Sequence, residues 1–364
     1  MSKSARVGLA IFLLLPVTVF PQQNPEPATP APQAPMLAPP AAPAPPVDAG
    51  DGRIHLDVVV TDKAGKAVSG LELKDFTLLD DNRPSKILSF RAIDAVAQAA
   101  SQPVEVVLLL DAANLGFQRV SQSRTQIANF LRSNGGHLAE PVSIFVFNDD
   151  GVKVLAQAST DGNALATQLD KADSQLRIIS RSSQYRGFGL FGLSLKWIST
   201  IAQSEAQRPG KKLLIWAGAG WPLLDRPNID ISAKAQQQLF NSIVYLSTTL
   251  REGHISLYSV SLGDSIQDAF LYQDFLKGVK MAEKADPGNL SLKVLAVETG
   301  GRVLGPDNDI AAQIAKCVQD AGAFYTISFD PPKADRANEY HDLRVQVAQP
   351  GLTARTNTGY YNQP

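Results

Sequence analysis

The run VEVVLLLD closes on a carboxylate, Asp111, and Asn114 follows three residues later. A carboxylate at the end of an apolar run stands where an open α/β sheet places its ligands, just outside the carboxyl end of a buried parallel strand. A hard divalent cation there would need several oxygens. The neighbours Ala112, Ala113 and Leu115 supply none from their side chains. Asp111 therefore reads either as a cation site or as a strand end that bonds loop N–H groups. The second reading is preferred, so no Mg²⁺, Ca²⁺ or other cofactor is expected.

Other residues that could do chemistry lack the required context. GFGLFG at 187–192 matches G-x-G-x-x-G, but a dinucleotide fingerprint needs a strand directly before it and an acidic residue about 20 positions on. Here the preceding stretch is the polar ISRSSQYR, so the glycines are read as a turn into a helix. His55, His137, His254 and His341 form no H-x-x-x-H pair, and no G-x-S-x-G elbow supplies a nucleophile. Asp80-Asp81 and Asp149-Asp150-Gly151 read as turn residues. Asp330, Asp335, Glu339 and Asp342 could bind Ca²⁺, but a solvated turn is the simpler reading. Cys317, the single cysteine, excludes an intrachain disulfide and falls in an apolar helical pattern as a small hydrophobe.

The elements that would position these residues follow from periodicity. Residues 104–110 form a strand that is apolar but for Glu105; 118–134 is an amphipathic helix with Val120, Ile127 and Leu131 on one face, stopped by Gly135-Gly136. Strands at 142–147, 152–155, 211–220 (KKLLIWAGAG) and 255–260 alternate with helices at 161–172, 190–201, 239–250, 290–299 and 309–321. That alternation predicts a doubly wound, mostly parallel α/β sheet covered on both faces. β character flanks it: alternating Ile54, Leu56, Val58 and Val60, two short hairpins to residue 90, and three strands in FYTISFDPP, EYHDLRVQVAQPG and LTARTNTGYY. The economical arrangement pairs both ends of the chain in one small β-sandwich.

The domain plan is therefore a signal peptide at 1–21, a Pro/Ala-rich linker at 22–51, sandwich parts at 52–92 and 324–361, and the α/β domain at 103–323. Lys3 and Arg6 before an apolar run at 7–20 resemble an export signal, with an uncleaved membrane anchor as the alternative. The expected location is periplasmic or extracellular, without membrane insertion beyond that segment. A formal net charge of −1 offers nothing to attract nucleic acid.

Three blocks carry a family resemblance. VVVTDKAGKAVSGLELKDFTLLDDNRPSKILSF, PGKKLLIWAGAGWPLL and YTISFDPPKADRANEYHDLRVQV continuing to RTNTGYY resemble, in order, the exported bacterial von Willebrand factor A-related proteins frequent in Acidobacteria. The resemblance implies a von Willebrand A-type sheet and, in many such domains, a divalent metal that completes its coordination with a partner's carboxylate. Its ligands would come from Asp-x-Ser-x-Ser, a threonine and a further aspartate. This chain keeps Asp111 but has Ala113 and Leu115 at the serine positions. It carries Ser180, Ser182 and Ser183 without a threonine, and Ala217-Gly218-Ala219-Gly220 where the last aspartate belongs, with Asp225 further on.

The expected function is a non-catalytic protein-interaction (adhesion or scaffold) module with a degenerate metal site. The alternative is an envelope enzyme, or a purely structural envelope component, using the same sheet edge. The protein partner's expected contacts are Asp111, Asn114, Arg181, Tyr185, Arg186 and Trp221, since arginine and aromatic groups are enriched at binding hot spots. Trp216, inside a strand, is expected in the core.

Overall fold

The computed structural model describes residues 52–94, 103–148, 150–172, 188–221, 232–261, 271–305 and 307–364. The expected export signal, the Pro/Ala-rich stretch, Arg181, Tyr185, Arg186 and Asp225 lie outside them. No helix among the described residues is long and apolar enough to cross a membrane.

The centre is a six-stranded sheet. Its strands are β5 (Val104–Asp111), β6 (His137–Asn148), β7 (Gly151–Asp161), β8 (Lys211–Ala217), β9 (Ile255–Val260) and β10 (Val303–Leu304), in the order β10-β9-β8-β5-β6-β7. All neighbours are parallel except β6 and β7, which pair antiparallel at one edge. The fold class is the one expected: a doubly wound, mostly parallel α/β sheet.

The period of two in β5 divides the core. Val106, Leu108 and Leu110 pack with α1 (Phe117–Arg132), α2 (Gly162–Lys171) and α6 (Ile310–Gly322), where Ile127, Leu165 and Ile314 are fully covered. Val107 and Leu109 face the opposite layer, built from α3 (Phe188–Ala206), α4 (Ala233–Glu252) and α5 (Leu292–Glu298). Cys317 is buried in the first layer, as its pattern suggested. Several helix starts carry their own acceptors. Asp161, Ser232 and Asp309 accept from Ala164, Ala235 and Ala312 N–H groups at 2.9, 3.3 and 2.9 Å.

Two antiparallel sheets from both chain ends form the β-sandwich. One has the order β13-β1-β11-β4, from Thr353–Arg355, Ile54–Thr61, Ala323–Phe329 and Ser89–Asp94. The other is β14-β12-β2-β3, from Gly359–Asn362, Glu339–Val347, Phe76–Asp80 and Arg83–Ser85. Leu56, Val58, Leu78, Ile327 and Val345 fill the space between them.

Three local expectations are corrected. The strand placed at 152–155 runs on to Asp161, because it lies along β6 as an edge ribbon. The segment after residue 351 is two strands in different sheets. The stretch near residue 90 leaves its hairpin and pairs with β11, which brings Phe90 to 5.3 Å from Phe76 and 5.7 Å from Tyr325, centroid to centroid.

The sandwich shares its packing with the α/β layers: Val59 and Phe324 belong to one α/β core and Tyr361 to the other. Asp320 of α6 is a polar hub at this junction. It accepts from Arg302 at 2.7 Å, Arg355 at 2.7 Å and the Tyr258 hydroxyl at 3.0 Å, and it is fully buried.

Candidate functional site at the sheet's carboxyl edge

β5 delivers Asp111 to the carboxyl edge, where its residue pairs in register with Phe147 of β6. The next residue, Ala112, donates its N–H to Phe147 O at 2.7 Å, which fixes the exit of the loop. On the other side, the neighbouring strand β8 ends at Ala217, and Gly218 donates to Val260 O at 2.9 Å.

Asp111 is 0 % exposed, and its carboxylate is ringed by protein donors. Asn114 backbone N–H donates to Oδ1 at 2.9 Å. The Asn114 amide lies 3.2 Å from Oδ1 and 3.0 Å from Oδ2. The Trp216 indole N–H donates to Oδ2 at 2.8 Å. Burial pushes the Asp111 carboxyl above its ordinary value, and the bonds from Trp216, Asn114 and the Ala113 backbone offset part of that rise.

These residues do not fit a bound metal. Both oxygens of Asp111 already face N–H donors, and Ala113 and Leu115 bring no oxygens. The glycine where an aspartate would belong has no room either. A Cβ on Gly218 would lie 2.5 Å from the Asp111 Cβ and 3.2 Å from its Cγ. A hydroxyl beside Asn114 is Ser194 Oγ on α3, 3.3 Å from the Asn114 amide nitrogen and fully buried. Ser194 was not singled out in the sequence. Its signal was a hydroxyl between Leu193 and Leu195, in the apolar first half of α3.

Of the six expected contacts, three can be placed, and the structure brings them to one edge in different roles. Asp111 is interior, so it cannot itself touch a partner. Trp221, expected at a partner surface, is 3 % exposed, which corrects that expectation. Its indole N–H donates to Leu290 O at 2.8 Å, and its ring meets Trp216 edge-on at 5.2 Å. Trp216 is in the core, as its strand position implied. Asn114 is part-buried, with one face on Asp111. The aromatic group that does face solvent here is Phe117, at 64 % exposure in the first turn of α1. It was missed because an aromatic at the start of an amphipathic helix reads as core.

No protein-family profile matches the chain, and no characterised protein matches its sequence. Among solved structures, it is similar to the manganese-loaded TRAP protein of Plasmodium vivax, at 12 % identity and a TM-score of 0.33, covering 74 % of this chain and 97 % of that one. It is also similar to the human COPII-coat protein Sec24c, at 8 % identity and a TM-score of 0.36, covering 75 % of this chain and 46 % of that one. A third similar structure is the pilus adhesin SpaC of Lactobacillus rhamnosus GG, at 11 % identity and a TM-score of 0.34, covering 81 % and 43 %. The chain thus spans less than half the length of the last two. With TM-scores this low, the functional reading rests on the site itself.

Proposed function

We propose that the chain is an exported, non-catalytic protein-interaction module of von Willebrand A type whose metal position is filled by its own side chains. The observation that carries this reading is the saturated carboxylate: the Trp216 indole and the Asn114 amide and backbone occupy both oxygens of Asp111. A partner would then meet this edge through shape and aromatic contact, with Phe117 as an accessible group among the described residues. Arg181, Tyr185 and Arg186, outside the described residues, are the sequence's further candidates for the same surface. Export is supported by the basic residues and apolar run at the N-terminus.

The test is capture of partners from an envelope fraction by the native chain and by Phe117→Ala, each with Mg²⁺ and with chelator. The expected result is a partner retained in chelator and depleted by Phe117→Ala. Capture that requires Mg²⁺, and is lost in Asp111→Ala, would overturn the reading.

A further inference from the structure

The β-sandwich brings two adjacent carboxylates to a histidine that the sequence keeps far from them. Asp80 ends β2, Asp81 follows it in the tight turn to β3, and His341 stands in β12, 261 residues from Asp80. Their ligand atoms all lie within 4.8 Å of one another. His341 Nδ1 is 3.1 Å from Asp80 Oδ1 and 3.2 Å from Asp81 Oδ2. The second oxygen of each carboxylate is held from outside. The Tyr360 hydroxyl donates to Asp80 Oδ2 at 2.8 Å, and the Asp342 N–H donates to Asp81 Oδ1 at 3.1 Å. The Tyr360 ring also stacks on the imidazole, 4.9 Å between centroids and 17° between planes. Outer partners of this kind fix the direction in which ligands point.

Hydrogen bonding among these groups leaves the site unbalanced. Nδ1 carries at most one hydrogen, yet it faces oxygens of two carboxylates. The other ring nitrogen, Nε2, is buried and has no hydrogen-bond partner among the described residues. Two carboxylates therefore converge on one imidazole nitrogen, at a place where Asp80 and His341 are 8 % and 7 % exposed. Burying charge without compensation is costly, and a divalent cation between the three atoms would neutralise both carboxylates.

The distances select the kind of cation. A tetrahedral ion with bonds of about 2.0–2.1 Å holds neighbouring donor atoms about 3.3 Å apart. The two measured separations come within a few tenths of an ångström of that. Ca²⁺ would call for six to eight oxygens, which the cluster does not offer. One imidazole with two carboxylates suits Zn²⁺, and the 43 % exposure of the Asp81 side chain leaves a side open for a water as fourth ligand.

We propose that Asp80, Asp81 and His341 form a Zn²⁺ site that clamps the β2–β3 hairpin to β12, separate from the Asp111 edge and independent of the function proposed there. The test is calorimetric titration of the chelator-treated full chain with ZnCl₂, paired with melting curves. One ion per chain should bind, and Zn²⁺ should raise the melting temperature. Asp81→Asn should weaken binding at least about 100-fold, the upper end of what losing an outer partner costs. His341→Gln should do the same, and Asp111→Asn should leave Zn²⁺ binding unchanged. Should His341→Gln fail to fold, Asp81→Asn at the exposed corner decides. Absence of saturable binding, binding unaltered in Asp81→Asn, or binding lost in Asp111→Asn would each overturn the proposal.

Discussion

Trp216→Phe isolates the donor that stands against the buried carboxylate. The substitution keeps an aromatic ring between Phe147, at 5.7 Å, and Trp221, at 5.2 Å, but removes the N–H that lies 2.8 Å from Asp111 Oδ2. A hydrogen bond to a charged group contributes about 1.5–3 kcal/mol. The smaller ring leaves a void costing about 1 kcal/mol. The expected loss at pH 7 is therefore about 2.5–4 kcal/mol, read by urea denaturation. Trp221→Phe is the matched control. It removes an indole N–H that meets only the neutral Leu290 carbonyl, so it should cost about 1.5–2.5 kcal/mol. The two variants should also differ with pH. Burial raises the Asp111 carboxyl, so its charge is lost at a higher pH in the folded chain than in the unfolded one. Once the carboxyl is protonated, the Trp216 bond becomes an ordinary neutral one, and the penalty of Trp216→Phe should shrink in acid while that of Trp221→Phe stays level. Equal penalties, or a Trp216→Phe penalty that ignores pH, would refute the charge-assisted role.

Three further outcomes are expected. Asp320→Asn strips the buried hub of its charge and leaves Arg302 and Arg355 unpaired at the junction of α6 and β13; breaking a buried pair from one side costs about 3–5 kcal/mol, measurable by denaturant titration. Glu298, part-buried beside Tyr340 and Tyr361, has its carboxyl pushed up to about 8 by burial, from an ordinary 4.5. The folded chain then keeps a proton that the unfolded chain has lost, so stability should fall as pH rises from 4.5 to about 8, by at most about 1.4 kcal/mol per pH unit, and Glu298→Gln should flatten that slope in pH-dependent melting. Gly218→Ala drives a methyl to 2.5 Å from the Asp111 Cβ and should cost about 1–3 kcal/mol, read as a lowered melting temperature; a silent substitution would show that the loop yields freely.

The α/β layers were legible in the sequence because their signals are local. Residues 106–110 are apolar throughout, as a strand covered on both faces must be, and Val120, Ile127 and Leu131 mark one helical face. Pairing across the chain was legible only in outline. That both ends make one sandwich followed from having too few strands at either end, yet nothing near residue 90 announces that it pairs with β11 rather than β2. The candidate sites show the same limit. Asp111 could be found from its strand, while its donors Trp216 and Asn114 were assigned to the core and to a partner surface. His341 gave no motif because its neighbours Asp80 and Asp81 arrive from the opposite end of the chain.

On the reading proposed here, a site without its metal ligands does not simply become vacant. A carboxylate buried without a cation must find donors or give up its charge. On the reading proposed here, the loss of hydroxyls at Ala113 and Leu115 is compensated inward, by an indole from the next strand and an amide from the same loop. That inward closure has a structural cost, because Gly218 must stay without a side chain for β8 to pass so near Asp111. It follows that adding oxygens at Ala113 and Leu115 alone would not reopen the edge to metal. The Trp216 donor would have to leave first, and with it the packing that Phe147 and Trp221 make on its ring. A partner meeting such an edge would find an exposed aromatic there among the described residues, Phe117, and its affinity should follow the contact area that ring can bury rather than the concentration of any ion.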